Sequence, residues 1–415
     1  MLLHPTAQAS VLETVPFALG PIKPSCVGSL FYCKNGLYGL IYQRKMDVCF
    51  FGGYDSGYPR NAVIRQGLKV NGVNVSECRV NPGGRFWARY PLLLSRWLSL
   101  AKGPLGPRSF IFVPEFCQKD MPLARFLALI SSCRLVFDPL ASRFETKITD
   151  WKRKPEGSLA AWWNRVIDLW ALKLSGLVLA DTQAHKNYYC RRFGEDARRI
   201  EVLPVGFDDR IFSQALIQHR PDSLKGNSPF TVLFFGSFLP LHGVDVIIRA
   251  AKQVWQEDRA IRFEFIGRGQ TYPPVSRLAA DLGLENVQFE NWVSQTSLAT
   301  RIARDADICL GIFGRTEKAG RVVPHKIFQS MALRKPVITS RTPAVEEFFS
   351  HRKNIFLCEK AEPASLARAI LELKNQEAVR EEIARKGFEL AWEKFHPAAL
   401  GSVLKGLLEK HFLIG

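Results

Sequence analysis

The sequence lacks most of the features that would place it in an easily named class. It has no run of 18 or more apolar residues, so no membrane-spanning helix is expected. Its nine cysteines include no C-x-x-C pair. They stand apart, at Cys26, Cys33, Cys49, Cys78, Cys117, Cys133, Cys190, Cys309 and Cys358, with no histidine cluster beside them. That argues against a disulfide framework and against a zinc site, and it fits a reducing compartment. Acid is also scarce. The 39 Asp and Glu face 57 Lys and Arg, for a net charge of +18. Such a surface suits anionic partners. No zinc finger, RNP motif or helix-turn-helix is present, so nucleic acid is not the expected one.

What is present is the composition of a soluble globular protein, 47% hydrophobic and 23% charged. At 415 residues it is too long for one ordinary core, and two domains are expected. Residues 1–45 differ from the rest. They hold Pro5, Pro16, Pro21 and Pro24, show no helical or strand period, and lack the basic start and apolar stretch of a signal peptide. They are expected to be unstructured, or to be an annotation artefact with translation starting at Met46.

From Met46 onward, strands alternate with helices, the pattern of a parallel sheet covered on both faces. Asp47–Phe51, Val73–Cys78, Phe110–Val113, Arg134–Phe137 and Leu177–Ala180 read as strands, with helices at Asn61–Asn71 and Leu159–Leu174. The polar stretch Gln214–Ser228 reads as a linker. A second α/β run follows, with strands at Phe230–Phe235, Ile261–Ile266, Val287–Phe289, Ile308–Gly311 and Val337–Ile338. The expected division is an extension at 1–45, a first Rossmann-like domain at 46–215, a linker at 216–229, a second domain at 230–390 and a C-terminal helix at 391–415.

Two stretches carry the chemistry. The first is the turn Gly236-Ser237-Phe238-Leu239-Pro240-Leu241-His242-Gly243, between a buried strand and a helix, where glycine admits a close ligand and the helix offers free N–H groups. The second runs from Glu317 to Gln329 and gathers Lys318, Arg321 and Lys326 around Pro324, at the carboxyl edge of the sheet where open α/β folds bind ligands. Three cations beside a helix start could hold a diphosphate.

These stretches carry a resemblance. FFGSFLPLHGVDVIIRAAK, FEFIGRG, LGLENVQFENWV, ADICLGIFG and above all PHKIFQSMALRKPVIT resemble the donor domain of the retaining group 1 glycosyltransferases. LPVGFDDRIF resembles the segment leading into their linker, and YDSGYPRN, VPEFCQKDMPLA, DPLASRFETKITD and LADTQAHKNYY resemble the acceptor domains of one subgroup more loosely. The resemblance implies the GT-B fold: two Rossmann-like doubly wound domains facing a cleft, with C-terminal helices returning toward the first. It implies a nucleoside diphosphate sugar as donor, a glycan or lipid-linked acceptor, and no cofactor or metal. Where many relatives carry Arg and Lys in the first loop, this chain has Ser237 and His242; where many carry two Glu, it has Arg321 and Gln329. The resemblance therefore implies relocated cations. Gly236, Ser237, His242, Gly243, Lys318, Arg321, Lys326 and Gln329 are expected at the donor, with Trp292 near the base.

In the first domain, Gly53, Tyr54, Asp55 and Arg60 are the expected acceptor-side residues. Asp138 and then Glu115, at carboxyl strand ends, are the expected acid–base groups, joined by Arg321 in catalysis. His185 reads as a helix-surface residue. The acid-free stretch Arg79–Arg108, rich in Trp and Leu, and the helix bearing Trp162, Trp163 and Trp170 suit an anionic membrane surface. The expected protein is a cytoplasmic, peripherally bound hexosyltransferase of cell-surface polysaccharide or lipopolysaccharide synthesis. The alternatives are a nucleotide-sugar epimerase or hydrolase on the same fold, and a non-catalytic carbohydrate or membrane-surface binding protein.

Overall fold

The computed structural model describes residues 45–83, 85–100, 108–218 and 229–413. The extension expected at 1–45 and most of the expected linker lie outside the described residues, apart from Lys45, the helical start of the linker and Pro229.

The first lobe runs β1 (Asp47–Gly52), α1 (Pro59–Val70), β2 (Asn74–Arg79), α2 (Phe86–Leu100), β3 (Ser109–Val113), α3 (Met121–Ile130), β4 (Arg134–Phe137), α4 (Leu159–Leu174), β5 (Leu177–Ala180), α5 (Gln183–Phe193) and β6 (Ile200–Val202). Its sheet is parallel, in the order β2-β1-β3-β4-β5-β6. The central strands β3 and β5 are buried along their whole length, as continuous apolar runs require in a sheet covered on both faces.

After β6 comes α6 (Asp209–Gln218). The second lobe then runs β7 (Phe230–Phe235), α7 (Val244–Glu257), β8 (Ile261–Ile266), α8 (Tyr272–Asp281), β9 (Val287–Glu290), α9 (Gln295–Asp305), β10 (Ile308–Leu310), α10 (His325–Ala332), β11 (Val337–Ser340), α11 (Pro343–Glu346), β12 (Phe356–Cys358), α12 (Pro363–Asn375), α13 (Glu377–Lys394) and α14 (Pro397–Phe412). The second sheet is also parallel, ordered β12-β11-β10-β7-β8-β9. Strand order reverses between β7 and β10, the switch point where doubly wound sheets open a crevice.

The chain passes between lobes twice. The first-lobe core ends at Leu203, while Val205, Phe207, Phe212 and Ala215 pack with Leu298 and Ala299 of the second lobe. Residues 214–218, expected to open a linker, are therefore the last turns of α6, whose apolar face lies on α9. On the return, Leu400, Leu404 and Leu408 of α14 join the first-lobe core. There α14 crosses α1 so closely that a Cβ on Gly401 would lie 2.1 Å from the Gly67 carbonyl. The two passages run side by side, with the Phe207 N–H donating to the Phe395 carbonyl at 3.3 Å.

Candidate active site in the interlobe cavity

The carboxyl ends of both sheets bound a cavity of about 680 Å³. On the second-lobe side, the turn after β7 folds against the segment after β10. The N–H groups of Phe313 and Gly314 donate to the carbonyls of His242 and Leu241 at 3.0 and 3.1 Å. Gly243 sits at φ +60°, and a Cβ there would meet the Phe313 backbone at 2.4 Å, so only glycine closes this turn. Gly267 and Gly269 press on Gly236 and Phe238 from behind, so the GRG loop buttresses the turn.

Gly236, Ser237, His242, Trp292, Lys318, Lys326 and Gln329 line the cavity. Gly243 stands behind it. Trp292 is exposed at the rim rather than buried as core. Lys318 donates to Thr146 Oγ1 across the lobes at 2.7 Å. His242 is buried, with Nδ1 against the Ser237 carbonyl; burial, and then Lys326, hold its pKa well below the usual value, so the ring is neutral at neutral pH.

Lys326 is the unusual group. Pro324 caps the start of α10 and sets the lysine on the first turn, where it lies buried. Its Nζ has no hydrogen-bond partner and stands 3.7 Å from the centre of the Phe234 ring, beside Gly236. A buried unpaired ammonium is costly, and burial pushes its pKa well below the ordinary value.

Arg321 departs from expectation. Its guanidinium does not reach the cavity. It pairs with Glu145 Oε1 at 2.6 Å and with Glu317, and stacks on the Tyr188 ring at 4.5 Å. Glu145 in turn lies 3.3 Å from His185 Nε2, whose Nδ1 is 2.6 Å from Asp181. His185 is thus fully buried, not on a helix surface; its charge is held by two acids. This chain of charges, from Arg321 to Asp181, ties the lobes together.

The first-lobe candidates also differ. Asp138 forms a fully buried ion pair with Arg60 Nε at 2.6 Å, and Arg60 Nη1 donates to the carbonyls of Leu203 and Pro204, both at 3.1 Å. Neither residue lines the cavity, because each satisfies the other at the base of the passage to the second lobe. Glu115 is buried, accepts from Asn61 Nδ2 at 2.8 Å, and has its pKa pushed up to about 8 by burial and by Asp138. Gly53 N–H donates to Asp120 at 2.8 Å, and the buried Tyr54 hydroxyl donates to Glu77, also at 2.8 Å. Asp55 lies with Tyr54 along a separate groove. None of these four meets the cavity either. Its first-lobe wall comes instead from Tyr58, Phe116, Gln118, Asp181 and the segment Ser142–Trp151. All of that segment but Trp151 lies within the stretch DPLASRFETKITD. The signal was Arg143 and Lys147 following a strand's carboxyl end.

Among the described residues, no helix is long and apolar enough to cross a membrane and no cluster of His, Cys, Asp and Glu could hold a metal ion.

Residues 229–376 match the family described as Glycosyl transferases group 1. Curated relatives include an uncharacterized glycosyltransferase of Methanocaldococcus jannaschii, 30% identical over 39% of this chain and 44% of the relative. A D-inositol 3-phosphate glycosyltransferase of Thermomonospora curvata is 24% identical over 52% and 54%. A lipopolysaccharide core biosynthesis glycosyltransferase of Rhizobium meliloti is 25% identical over 46% and 52%. The chain spans about half the length of these relatives. Among solved structures, Anabaena HepE in complex with UDP and glucose aligns with a TM-score of 0.65 at 17% identity, over 88% of this chain and 100% of that one. Sucrose-phosphate synthase of Thermosynechococcus elongatus aligns at 0.68 and 13%, over 90% and 100%. The fold is GT-B, and the second lobe is similar to the group 1 glycosyl transferases over residues 229–376.

Proposed function

We propose that the chain transfers a sugar from a nucleoside diphosphate sugar to an acceptor held in the interlobe cavity. The observation that carries this is Lys326: a buried, unpaired ammonium beside a glycine turn at a sheet switch point is a site built for an anion. Lys318 adds a second cation, and Gln329 a hydrogen-bonding group for a ribose hydroxyl. Relatives of the same fold solved with UDP or UDP-glucose support this choice of ligand.

In the reaction, the bond from sugar C1 to the diphosphate oxygen breaks and its electron pair leaves with the diphosphate. Lys326, Lys318 and the backbone N–H groups of the turn stabilise that charge. The acceptor hydroxyl bonds to C1 and gives its proton to the departing diphosphate on the same face, which retains configuration. The buried pairing of Asp138 and the raised pKa of Glu115 favour this route over a side-chain base. A glycan or lipid-linked acceptor in lipopolysaccharide or exopolysaccharide synthesis fits the relatives' names.

A second observation favours work at the inner face of a membrane. On the face of α2 to α4, Trp87, Leu98, Ile130, Trp162 and Trp163 are exposed beside Arg85, Arg96, Arg153 and Lys154. Such a surface suits anionic lipid. Cosedimentation with vesicles of phosphatidylglycerol but not phosphatidylcholine is the expected result.

The test of the transferase reading is a thermal-shift panel of UDP, GDP, ADP and their sugars. Binding stabilises the native state by mass action, by about 2.7 kcal/mol at a hundredfold excess over Kd. No shift with any nucleotide would remove the donor site. Turnover of donor without acceptor would favour an epimerase or hydrolase, and binding without turnover a carbohydrate-binding protein.

A further inference from the structure

The cavity holds more positive charge than a donor needs. Lys318 and Lys326 on the second lobe match the two charges of a nucleoside diphosphate sugar. Arg143 and Lys147 line the first-lobe wall, where Asp181 is the acid among the cavity-lining residues. The Arg143 side chain has Nε buried with no hydrogen-bond partner, and Trp151 Nε1, eight residues on, is in the same state. Buried donors without partners, on residues that line one wall of a cavity, are the complement of an acceptor-rich ligand.

The segment that bears them is rigidly built. Asp168 of α4 accepts from the backbone N–H groups of Arg143 and Phe144 at 2.9 and 2.8 Å and from Ser142 Oγ at 2.7 Å. Both its oxygens are thereby spent on the backbone and Ser142, not on the Arg143 guanidinium. The π-helical turn Glu145–Asp150 then sets Lys147 into the cavity and delivers Trp151. Burial and the charge of Arg143 together lower the pKa of Lys147, so the wall carries repulsion that an anion would relieve.

We propose that Arg143, Lys147 and the Trp151 indole N–H form a second anion site, which holds a phosphate group on the acceptor. This rests on the transferase reading, since it assigns the acceptor of that same cavity. A guanidinium fork, an ammonium and an N–H donor together match the several oxygens of a phosphate better than one carboxylate. The phosphate could reach the site on a soluble sugar or on a lipid carrier, since Lys152, Arg153 and Lys154 lie exposed just beyond it.

The test uses the full chain saturated with UDP, so that the donor site is filled, and titrates inorganic phosphate by calorimetry. Phosphate should still bind, and Arg143→Ala with Lys147→Ala should weaken it at least about tenfold. UDP affinity should stay within about threefold. The Arg143 backbone bond to Asp168 does not need the side chain, and an unchanged Tm of the variant checks this; Arg143→Lys should recover part of the affinity. Unchanged phosphate affinity in the double variant, or phosphate that binds only when UDP is absent, would overturn the proposal. Glucose 6-phosphate in solution and a polyprenyl phosphate in detergent micelles form the two further arms, and the tighter one identifies the carrier. If UDP fails to bind while the double variant still loses phosphate, the transferase reading falls and the anion site stands.

Discussion

The charged groups at the two sheet edges are arranged in opposite ways. In the first lobe Arg60 and Asp138 neutralise each other in full burial. In the second lobe Lys326 is equally buried and has no anion beside it. The first arrangement is architectural: it braces the passage between lobes through Leu203 and Pro204. The second is a cost carried in the free protein, and under the proposed donor site a bound anion would offset it. Position at a strand end does not separate structure from function here; the presence or absence of a partner does.

The sharpest way to break this contrast is Arg60→Ala. It leaves the Asp138 carboxylate buried and unpaired, and should cost about 3–5 kcal/mol by urea denaturation. A loss below about 1 kcal/mol would mean the pair is not structural. Lys326→Met should do the reverse. It removes a buried amine that has no hydrogen-bond partner, so the Tm without ligand should rise, while UDP affinity drops by about a hundredfold. A variant that binds UDP normally would end the assignment of Lys326. Because its pKa is depressed in the free protein, nucleotide binding should take up a proton, seen as a dependence of calorimetric enthalpy on buffer ionisation.

The interlobe charges give a smaller effect, set by pH. Burial opposes ionisation of Glu145, but His185 and the cations of the second lobe outweigh it and hold the pKa at about 2 against an ordinary 4.5. That contribution to stability is present above about pH 4.5 and is lost as pH falls toward 2. Burial pushes the His185 pKa down, but Asp181 and Glu145 outweigh it and raise it to about 9 against 6.5. Its contribution is full below about pH 6.5 and is lost as pH rises through 9. The Tm should therefore be highest between these limits, and Glu145→Gln should flatten both flanks. The smallest expected effect is Arg321→Ala: about 1–2 kcal/mol of stability, with UDP affinity within about threefold. A large loss of affinity would return Arg321 to the donor site.

The alternation of buried strands and helices made both sheets legible, since runs such as Phe110–Val113 and Leu177–Ala180 are specified by local pattern. The place of the glycine turn and of Lys326 in the cavity wall was legible for the same reason, being fixed by nearby strand ends. The partners of Arg321 were not. Glu145 is 176 residues away in sequence, and no local period announces a contact made across two lobes. Asp138 and His185 misled for a related reason. Each is polar and follows a strand, but whether it faces the cavity depends on which distant charge reaches it first. Arg143 and Lys147 are not legible because the one precedes and the other sits on an irregular π-helical turn, where periodicity gives no direction.

The return of α14 to the first lobe has a consequence for synthesis. Leu400, Leu404 and Leu408 form part of a core that begins at Met46. A chain emerging from the ribosome cannot complete its first lobe until α14 is out, with the whole second lobe made in between. Over that interval the face of α1 that Gly401 will cover has no partner from its own chain.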